Sequence, residues 1–192
     1  MSLLDLDYRL TFSLFNFGNS SEFVKYLSLG LAAVFAYGLP LVLIWMFWRG
    51  AKNRIDSIKL FLLGIFTWKI FNSAVGAYYY NTWGFRDRPF SLNGTVELFF
   101  EQPQKAFPSD HAALLLAVTA GFFFYRYPKL GWWFLAGTIL SSLGRITVGF
   151  HYVGDILAGW VVGLVAAALF IALDKPLHRT LERLLTRIGL LK

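Results

Sequence analysis

Five long apolar segments constrain the fold of this 192-residue chain more than any other feature. They are predicted at about residues 24–48, 58–80, 112–125, 130–144 and 153–173. A helix needs roughly 20 apolar residues to cross a bilayer, so the first and last segments pass easily. The other three cross if their polar ends lie in the interface or inside a helical bundle.

Composition supports a membrane protein. Hydrophobic residues make up 57% of the chain and charged residues only 15%, whereas a soluble chain has roughly 25% charged residues. The sequence therefore predicts an all-α integral membrane protein, with five to six membrane helices in a single domain over residues 1–192. The absence of cysteine excludes disulfides and thiolate chemistry. Residues 2–20 are too broken to span, and Leu3, Leu6 and Leu10 predict an interfacial helix there, the alternative being a loose N-terminus.

Basic residues predict the orientation in the membrane. Five spans place the two termini on opposite sides, and lysine and arginine favour the cytoplasmic side. Three basic stretches fall on one side: Arg49, Lys52, Arg54 and Lys59; Arg126 and Lys129; and Lys175, Arg179, Arg183, Arg187 and Lys192. The net charge of +7 therefore indicates orientation, and no nucleic-acid partner is expected. The opposite side holds the long loop 81–108, in which the apolar "VELFF" predicts a membrane-surface helix.

Three polar patches share the predicted outer side: "FRDRPF" at 85–90, "PSDH" at 108–111 and "GRITVGFHYVGD" at 144–155. Arg88 and Arg145 offer planar forks that match phosphate or carboxylate oxygens. Ser109 adds a hydroxyl at a helix start, where backbone N–H groups attract anions. These residue types together predict a phosphate-binding site.

A histidine–aspartate pair supplies the predicted chemistry. His151 and Asp155 are four residues apart at the start of the fifth segment and are predicted to share one helical face. The aspartate can accept an imidazole N–H and fix the tautomer, which leaves the second ring nitrogen free to attack. His111 is the natural proton donor to a leaving group. Without a cysteine or an acidic cage, the pattern indicates phosphoryl transfer that needs no metal and no cofactor.

These motifs resemble the type 2 phosphatidic acid phosphatase (PAP2) superfamily. Its pattern is Lys-x6-Arg-Pro, then Pro-Ser-Gly-His, then Ser-Arg-x5-His-x3-Asp; this chain has "RP" at 88–89, "PSDH" at 108–111 and the third motif at 145–155. Within the superfamily, "FRDRPF" and "FPSDHAA" resemble bacterial undecaprenyl-diphosphatases of the BcrC type. The resemblance implies a polyprenyl diphosphate substrate, dephosphorylated at the outer face of the bacterial cytoplasmic membrane to recycle the carrier for cell-wall synthesis.

The resemblance also implies roles for individual residues. His151 would be the nucleophile, Asp155 its orienting partner and His111 the proton donor, while Arg88, Ser109 and Arg145 would hold the phosphate.

The chain departs from the family pattern at two positions: Asn81 stands where the family has lysine, and Gly144 where it has serine. Asp110, where other branches often have glycine, is shared with the BcrC-type branch. Arg86 is a candidate for the missing positive charge. Asp110 is a candidate for tuning His111 or orienting an arginine. Asn81, Arg86 and Asp110 are therefore counted with the predicted phosphate site.

Other functions fit parts of the sequence. The substrate could be phosphatidylglycerophosphate, phosphatidate or a lipid A phosphate, and the phosphohistidine could pass its phosphate to a sugar or lipid. A lipid transporter would use the polar patches as a gate or headgroup site. A structural membrane protein would use them only as helix caps and interfacial anchors. The sequence leaves the oligomeric state open.

Overall fold

The computed structural model describes residues 2–93 and 105–191, and within these ranges the chain forms helices and no strands. The predicted surface helix at "VELFF", residues 96–100, lies outside the described residues. The helices are α1 (Leu3–Gly18), α2 (Glu22–Phe47), α3 (Ala51–Ile65), a π-helical stretch (Phe66–Asn72), α4 (Ser73–Trp83), α5 (Pro89–Asn93), α6 (Asp110–Phe124), α7 (Pro128–Thr147), α8 (Val153–Ala172) and α9 (Asp174–Arg187).

Each predicted apolar segment coincides with a helix. Among the described residues, three helical segments could cross a membrane by length and composition alone: Glu22–Phe47, Ala51–Trp83 and Val153–Ala172. α6 is a shorter apolar helix of 15 residues, and α7 is as long as α8. The prediction of an all-α integral membrane protein is confirmed.

The second span is one long helical rod with a π-helical stretch in its middle. Such stretches are rare and often lie at functional sites. Here it places Asn72 in the interior, where its Nδ2 donates to the backbone oxygen of Pro108 at 3.3 Å. Lys69, in the same stretch, is exposed and lies over the ring of Trp68. The two polar residues that interrupt this span therefore point to different environments.

α6 lies at the centre of the bundle, packed against α7 and α8. Gly159 and Gly163 of α8 allow the close approach of α6. A Cβ at Gly159 would lie 2.7 Å from the backbone oxygen of Ser109, and one at Gly163 would lie 2.4 Å from that of Ala113. Small residues four apart are a common device for bringing membrane helices together.

Gly144 serves the same purpose between α7 and α2. A Cβ there would lie 2.6 Å from the backbone oxygen of Ser28 and 2.7 Å from the backbone nitrogen of Ala32. A serine at this position would collide with the backbone of α2. The departure from the family pattern therefore follows from helix packing.

The predicted basic stretches meet at one end of the bundle. Buried Lys59 pairs with Asp174 at 2.8 Å, and the Tyr125 hydroxyl donates to the same carboxylate oxygen at 2.8 Å. The Lys52 ammonium donates to the Tyr125 backbone oxygen at 3.4 Å. These contacts join α3, the α6–α7 link and the start of α9. α6 runs from the three polar patches to this basic end, so the patches lie at the opposite end.

α1 confirms the prediction of an N-terminal helix. Thr11, Phe15 and Gly18 are buried against the bundle, whereas Leu3 and Leu4 are exposed. α1 packs on α7 and also contacts α8 and α5. Its location in the membrane interface stays a prediction.

Candidate active site

The three polar patches converge at the end of the bundle where α6 and α8 begin. The Ser109 N–H donates to the backbone oxygen of Asp155 at 3.1 Å, which joins the second patch to the third. Arg88 donates to the backbone oxygen of Phe150 at 2.6 Å, which joins the first patch to the third. Five predicted site residues are buried together here, with half-buried His111 beside them: Arg88, Ser109, Arg145, His151 and Asp155.

His151 lies beside Asp155, as predicted, but the two residues are not on the same helix face. α8 begins at Val153, so His151 precedes the helix and the predicted shared helical face is wrong. The Tyr152 N–H donates to Asp155 Oδ2 at 2.9 Å and turns the chain back over the helix start. His151 Nδ1 consequently lies 3.5 Å from the same Oδ2. This distance is longer than a good hydrogen bond, so the two groups are in electrostatic contact without a hydrogen bond between them.

Several buried polar atoms of the cluster make no hydrogen bond, among them Ser109 Oγ, Arg145 Nε and His151 Nδ1. Ser109 is the residue before α6, yet its hydroxyl does not cap the helix. Buried polar groups in native proteins are nearly always satisfied, so orphaned ones need a specific explanation. Oxygens of a bound phosphate would satisfy Ser109 Oγ and Arg145 Nε.

The electrostatic surroundings keep His151 neutral. Burial lowers its pKa well below 6.5, and the positive charges of Arg145 and Arg88 lower it further, whereas Asp110 and the Ala106 backbone act in the opposite direction. Burial also lowers the pKa of Arg88, which the carboxylates of Asp155 and Asp110 oppose. A neutral imidazole held among arginines is a competent nucleophile toward an anionic group.

The structure adds a lysine that sequence reasoning missed. Lys105 Nζ lies 2.9 Å from Asp110 Oδ1, and Asn72 Nδ2 donates to the same oxygen. The backbone oxygen of Lys105 accepts from Arg88 at 2.8 Å, so this segment is tied into the cluster. Its signal in the sequence was a lysine five residues before Asp110. By contrast, Asn81 is exposed on α4, and within the described ranges no hydrogen bond or ion pair joins it to the cluster.

Arg86 lies behind the histidine–aspartate pair. Its Nη2 pairs with Asp7 of α1 at 2.7 Å, and its Nη1 is 3.7 Å from Asp155 Oδ1. The guanidinium also stacks on the Tyr152 ring at 3.4 Å. Asp7 is a second residue that sequence reasoning missed, because nothing in its local sequence distinguishes it. A place for Arg86 and Asn81 among the phosphate ligands stays a prediction.

An apolar groove of about 350 Å³ leads from the site into the bundle between α2, α3 and α6. It reaches Asp110 and His111 at one end, and its remaining lining is almost entirely apolar. That lining includes Leu39, Leu43, Leu60, Gly64, Trp68 and Leu114. Among the residues that the structure describes, no group of three or more histidine, cysteine, aspartate or glutamate side chains could hold a metal ion.

A membrane-spanning helical bundle that buries two arginines beside a histidine–aspartate pair is typical of integral membrane proteins that bind and transform anionic substrates. Residues 58–179 match the family model of the PAP2 superfamily. The chain belongs to this superfamily and is a membrane phosphatase.

Two bacterial relatives are similar over most of the chain. The undecaprenyl-diphosphatase BcrC of Bacillus subtilis (strain 168) is 31% identical over 138 residues, which cover 72% of this chain and 67% of that protein. The bacitracin transport permease protein BcrC of Bacillus licheniformis is 30% identical over 139 residues, which cover 72% of this chain and 64% of that protein. The matched region thus spans about two thirds of each relative. No solved structure matches the chain significantly.

Proposed function

We propose that this protein hydrolyses undecaprenyl diphosphate to undecaprenyl phosphate and inorganic phosphate. Similarity to a protein named as an undecaprenyl-diphosphatase supports the substrate. One observation carries the chemistry: a neutral histidine backed by a buried aspartate lies in a cluster whose serine hydroxyl and arginine Nε lack partners. A terminal phosphate would complete this cluster.

The phosphate is held by charge and by oriented donors. Arg88, Arg145 and Ser109 bind its peripheral oxygens, together with the backbone N–H groups at the start of α6. Lys105 supplies the charge that the family pattern places at position 81. Its ammonium lies 2.9 Å from Asp110 Oδ1. Asp110 thus keeps the flexible Lys105 side chain at the edge of the site. A bound diphosphate carries more negative charge than the Asp110 carboxylate and competes with it for the lysine.

The first step transfers the terminal phosphoryl group to His151. The nitrogen that faces away from Asp155 attacks the terminal phosphorus in line, and the N–P bond forms as the P–O bond to the lipid phosphate breaks. The bonding electrons go to the leaving oxygen, which takes a proton from His111 in its cationic form, and the negative charge of the bound diphosphate favours that form. Asp155 stabilises the positive charge that develops on the imidazole. The products of this step are undecaprenyl phosphate and phosphohistidine.

The second step releases phosphate. His111, now neutral, accepts a proton from a water molecule as that water attacks the phosphorus. The new O–P bond forms, the N–P bond breaks, and the electron pair returns to His151. Both histidines regain their starting protonation states, so the cycle closes without a metal or a cofactor.

The apolar groove accepts the lipid tail. It begins at His111, on the side where the leaving group departs, and runs between helices that could span the membrane. A polyprenyl chain in the groove would keep the diphosphate at the polar end. The tail would then bury apolar surface at roughly 25 cal/mol per Å².

We place the site at the outer face of the bacterial cytoplasmic membrane, because the basic stretches lie at the other end of the bundle. The cysteine-free chain allows a direct test. A cysteine at exposed Asp87 should react with a membrane-impermeant maleimide in intact cells. A cysteine at Lys129 should react only after the membrane is opened. The reverse pattern would overturn the orientation.

The activity is tested by phosphate release from purified protein in EDTA. Wild type should release phosphate from undecaprenyl diphosphate, and His151→Ala should lose at least about a thousandfold of the rate. Substrate labelled in its terminal phosphate should leave an acid-labile, base-stable label on wild type and none on His151→Ala. Preference for phosphatidate or phosphatidylglycerophosphate would move the substrate and keep the mechanism. No release from any lipid by folded protein would refute the proposal.

The groove is tested by filling it. The Cβ of a residue at Gly64 has space, with Val118 and Leu114 3.8 and 3.9 Å away, so Gly64→Leu extends into the groove. We expect a higher KM for undecaprenyl diphosphate and an unchanged KM for a short-chain prenyl diphosphate. Gly30→Leu is the control, because nothing lies within 4 Å of a Cβ there. An equal rise for both substrates would argue against a tail in the groove.

A further inference from the structure

α1 makes a set of polar contacts with the start of α8, directly behind the histidine–aspartate pair. Asp7 Oδ1 accepts from the Gly154 N–H at 2.8 Å, and Thr11 Oγ1 accepts from the Val153 N–H at 3.0 Å. The fit is close, since a Cβ at Gly154 would lie 3.2 Å from the Asp7 carboxylate. Two side chains of α1 therefore bind backbone donors that the first turn of α8 leaves unpaired.

Asp7 also holds a cation. Its Oδ2 accepts from Arg86 at 2.7 Å, and both side chains are largely shielded from water. The Arg86 guanidinium is sandwiched between this carboxylate and the Tyr152 ring, 3.4 Å from the ring centre. An arginine fixed by an ion pair and an aromatic face has little freedom to turn toward substrate.

The same guanidinium faces Asp155. Arg86 Nη1 lies 3.7 Å from Asp155 Oδ1, an atom that is buried and has no hydrogen bond. The other carboxylate oxygen, Oδ2, accepts from the Tyr152 N–H and lies 3.5 Å from His151. The two oxygens of Asp155 thus have separate partners: Arg86 on one side, the imidazole on the other.

We propose that Asp7 is a positioning residue for catalysis, acting through Arg86 on the orientation of Asp155. By anchoring Arg86, Asp7 keeps a positive charge at Oδ1, which holds the carboxylate plane so that Oδ2 faces His151 Nδ1. The role of this chain of contacts rests on the proposed phosphohistidine mechanism. It makes α1 part of the working site, although α1 lies outside the matched residues 58–179.

Two variants distinguish a positioning role of Asp7 from a purely structural one: Asp7→Asn and its matched control, Thr11→Val. Asp7→Asn keeps an oxygen for the Gly154 N–H but loses the charge that holds Arg86. Thr11→Val removes the neighbouring contact to α8 and leaves Arg86 untouched. Both variants loosen the attachment of α1, so a structural role predicts that both lower the melting temperature and the activity in parallel.

Positioning predicts a different pattern. Asp7→Asn should lower kcat about 10- to 100-fold, the usual effect of losing a residue that orients a catalytic group, with little change in KM. Arg86→Gln should do the same, and the double variant should be no worse than Arg86→Gln alone. Thr11→Val should keep kcat within about twofold. Wild-type kcat in Asp7→Asn, additive losses in the double variant, or an equal loss in Thr11→Val would each overturn the proposal.

A readout without substrate keeps this test independent of the proposed reaction. In protein labelled with ¹⁵N-histidine, His151 can be assigned among the three histidines by substitution of the others. Asp7→Asn and Arg86→Gln should shift the His151 Nδ1 resonance, because Asp155 turns away from it, and Thr11→Val should not. Unchanged resonances would overturn the proposal even in an active enzyme. Shifted resonances in a protein that releases no phosphate would refute only the proposed reaction.

Discussion

Adding one methyl group between α6 and α8 should disable the site without touching any of its residues. Gly163 lies on α8 more than two helical turns beyond Asp155, and a Cβ there would lie 2.4 Å from the backbone oxygen of Ala113. Ordinary contact begins at 3.4 Å, and the obstructing atom belongs to a helix backbone that cannot rotate aside. In Gly163→Ala the two helices must therefore separate by about 1 Å.

This separation has two consequences of known size. Overpacking a close helix contact typically costs about 1–3 kcal/mol of unfolding free energy. His111 lies on α6 with Ser109 immediately before it, and Asp155 lies on α8, so the same shift moves the two halves of the site apart. A displacement of about 1 Å in a catalytic arrangement can cost about 100-fold in rate.

The assay is phosphate release from undecaprenyl diphosphate in detergent micelles, with a thermal melt of the same sample. Gly30→Ala is the control, because a Cβ at Gly30 meets nothing within 4 Å and alanine favours a helix over glycine by up to about 1 kcal/mol. We expect Gly163→Ala to melt lower and to lose about 100-fold in kcat/KM, and Gly30→Ala to keep the wild-type rate and to melt no lower than wild type. If Gly163→Ala keeps wild-type rate and stability, the close approach of α6 and α8 does not set the site geometry.

Three further predictions test the site and its support. Ser109→Ala should lower kcat by about 100-fold. It should change the unfolding free energy by no more than about 0.5 kcal/mol, because the hydroxyl has no hydrogen-bond partner to lose. A large drop in the melting temperature would show that the hydroxyl has such a partner. Burial and nearby arginines lower the pKa of His151 below 6.5, so below that pH the unfolded state binds a proton that the folded state does not. Melts across pH 5 to 8 should show stability that is complete above pH 6.5 and falls with acidification, an effect that His151→Ala should reduce. Asp174→Asn should destabilise by about 3 kcal/mol, because it leaves buried Lys59 without its counter-charge; KM should stay unchanged, and denaturant titration with steady-state kinetics measures both.

Hydropathy and motif spacing predicted the parts of this protein that depend on local chemistry. A bilayer requires each crossing segment to satisfy its own backbone hydrogen bonds, so long apolar stretches are helices whatever their neighbours. The predicted segment at 153–173 and the observed helix Val153–Ala172 therefore agree closely. The basic stretches likewise predicted which links share one end of the bundle. Lysines and arginines concentrate on the cytoplasmic side of a membrane whichever residues they contact.

The site residues were predicted where their chemistry was grouped along the chain. "PSDH" and the motif at 144–155 place a serine, two histidines and an arginine at helix ends, and the fold brings them together with Arg88. The expected shared face of His151 and Asp155 was wrong, since it depends on where α8 begins. The Tyr152–Asp155 hydrogen bond decides that boundary.

The sequence alone determined that this protein lies in a membrane, where its helices are and which residue types form its catalytic cluster. These features follow from hydropathy and short-range spacing. Tertiary structure decided which distant side chains complete the cluster. Asp7 meets Arg86 across 79 positions of the chain, and Asn72 meets Asp110 across 38. Lys105 lies beside Asp110, although no local pattern marks it. Such pairs have no periodicity to detect, because they depend on how helices pack, and that packing is set by the few glycines that let backbones touch.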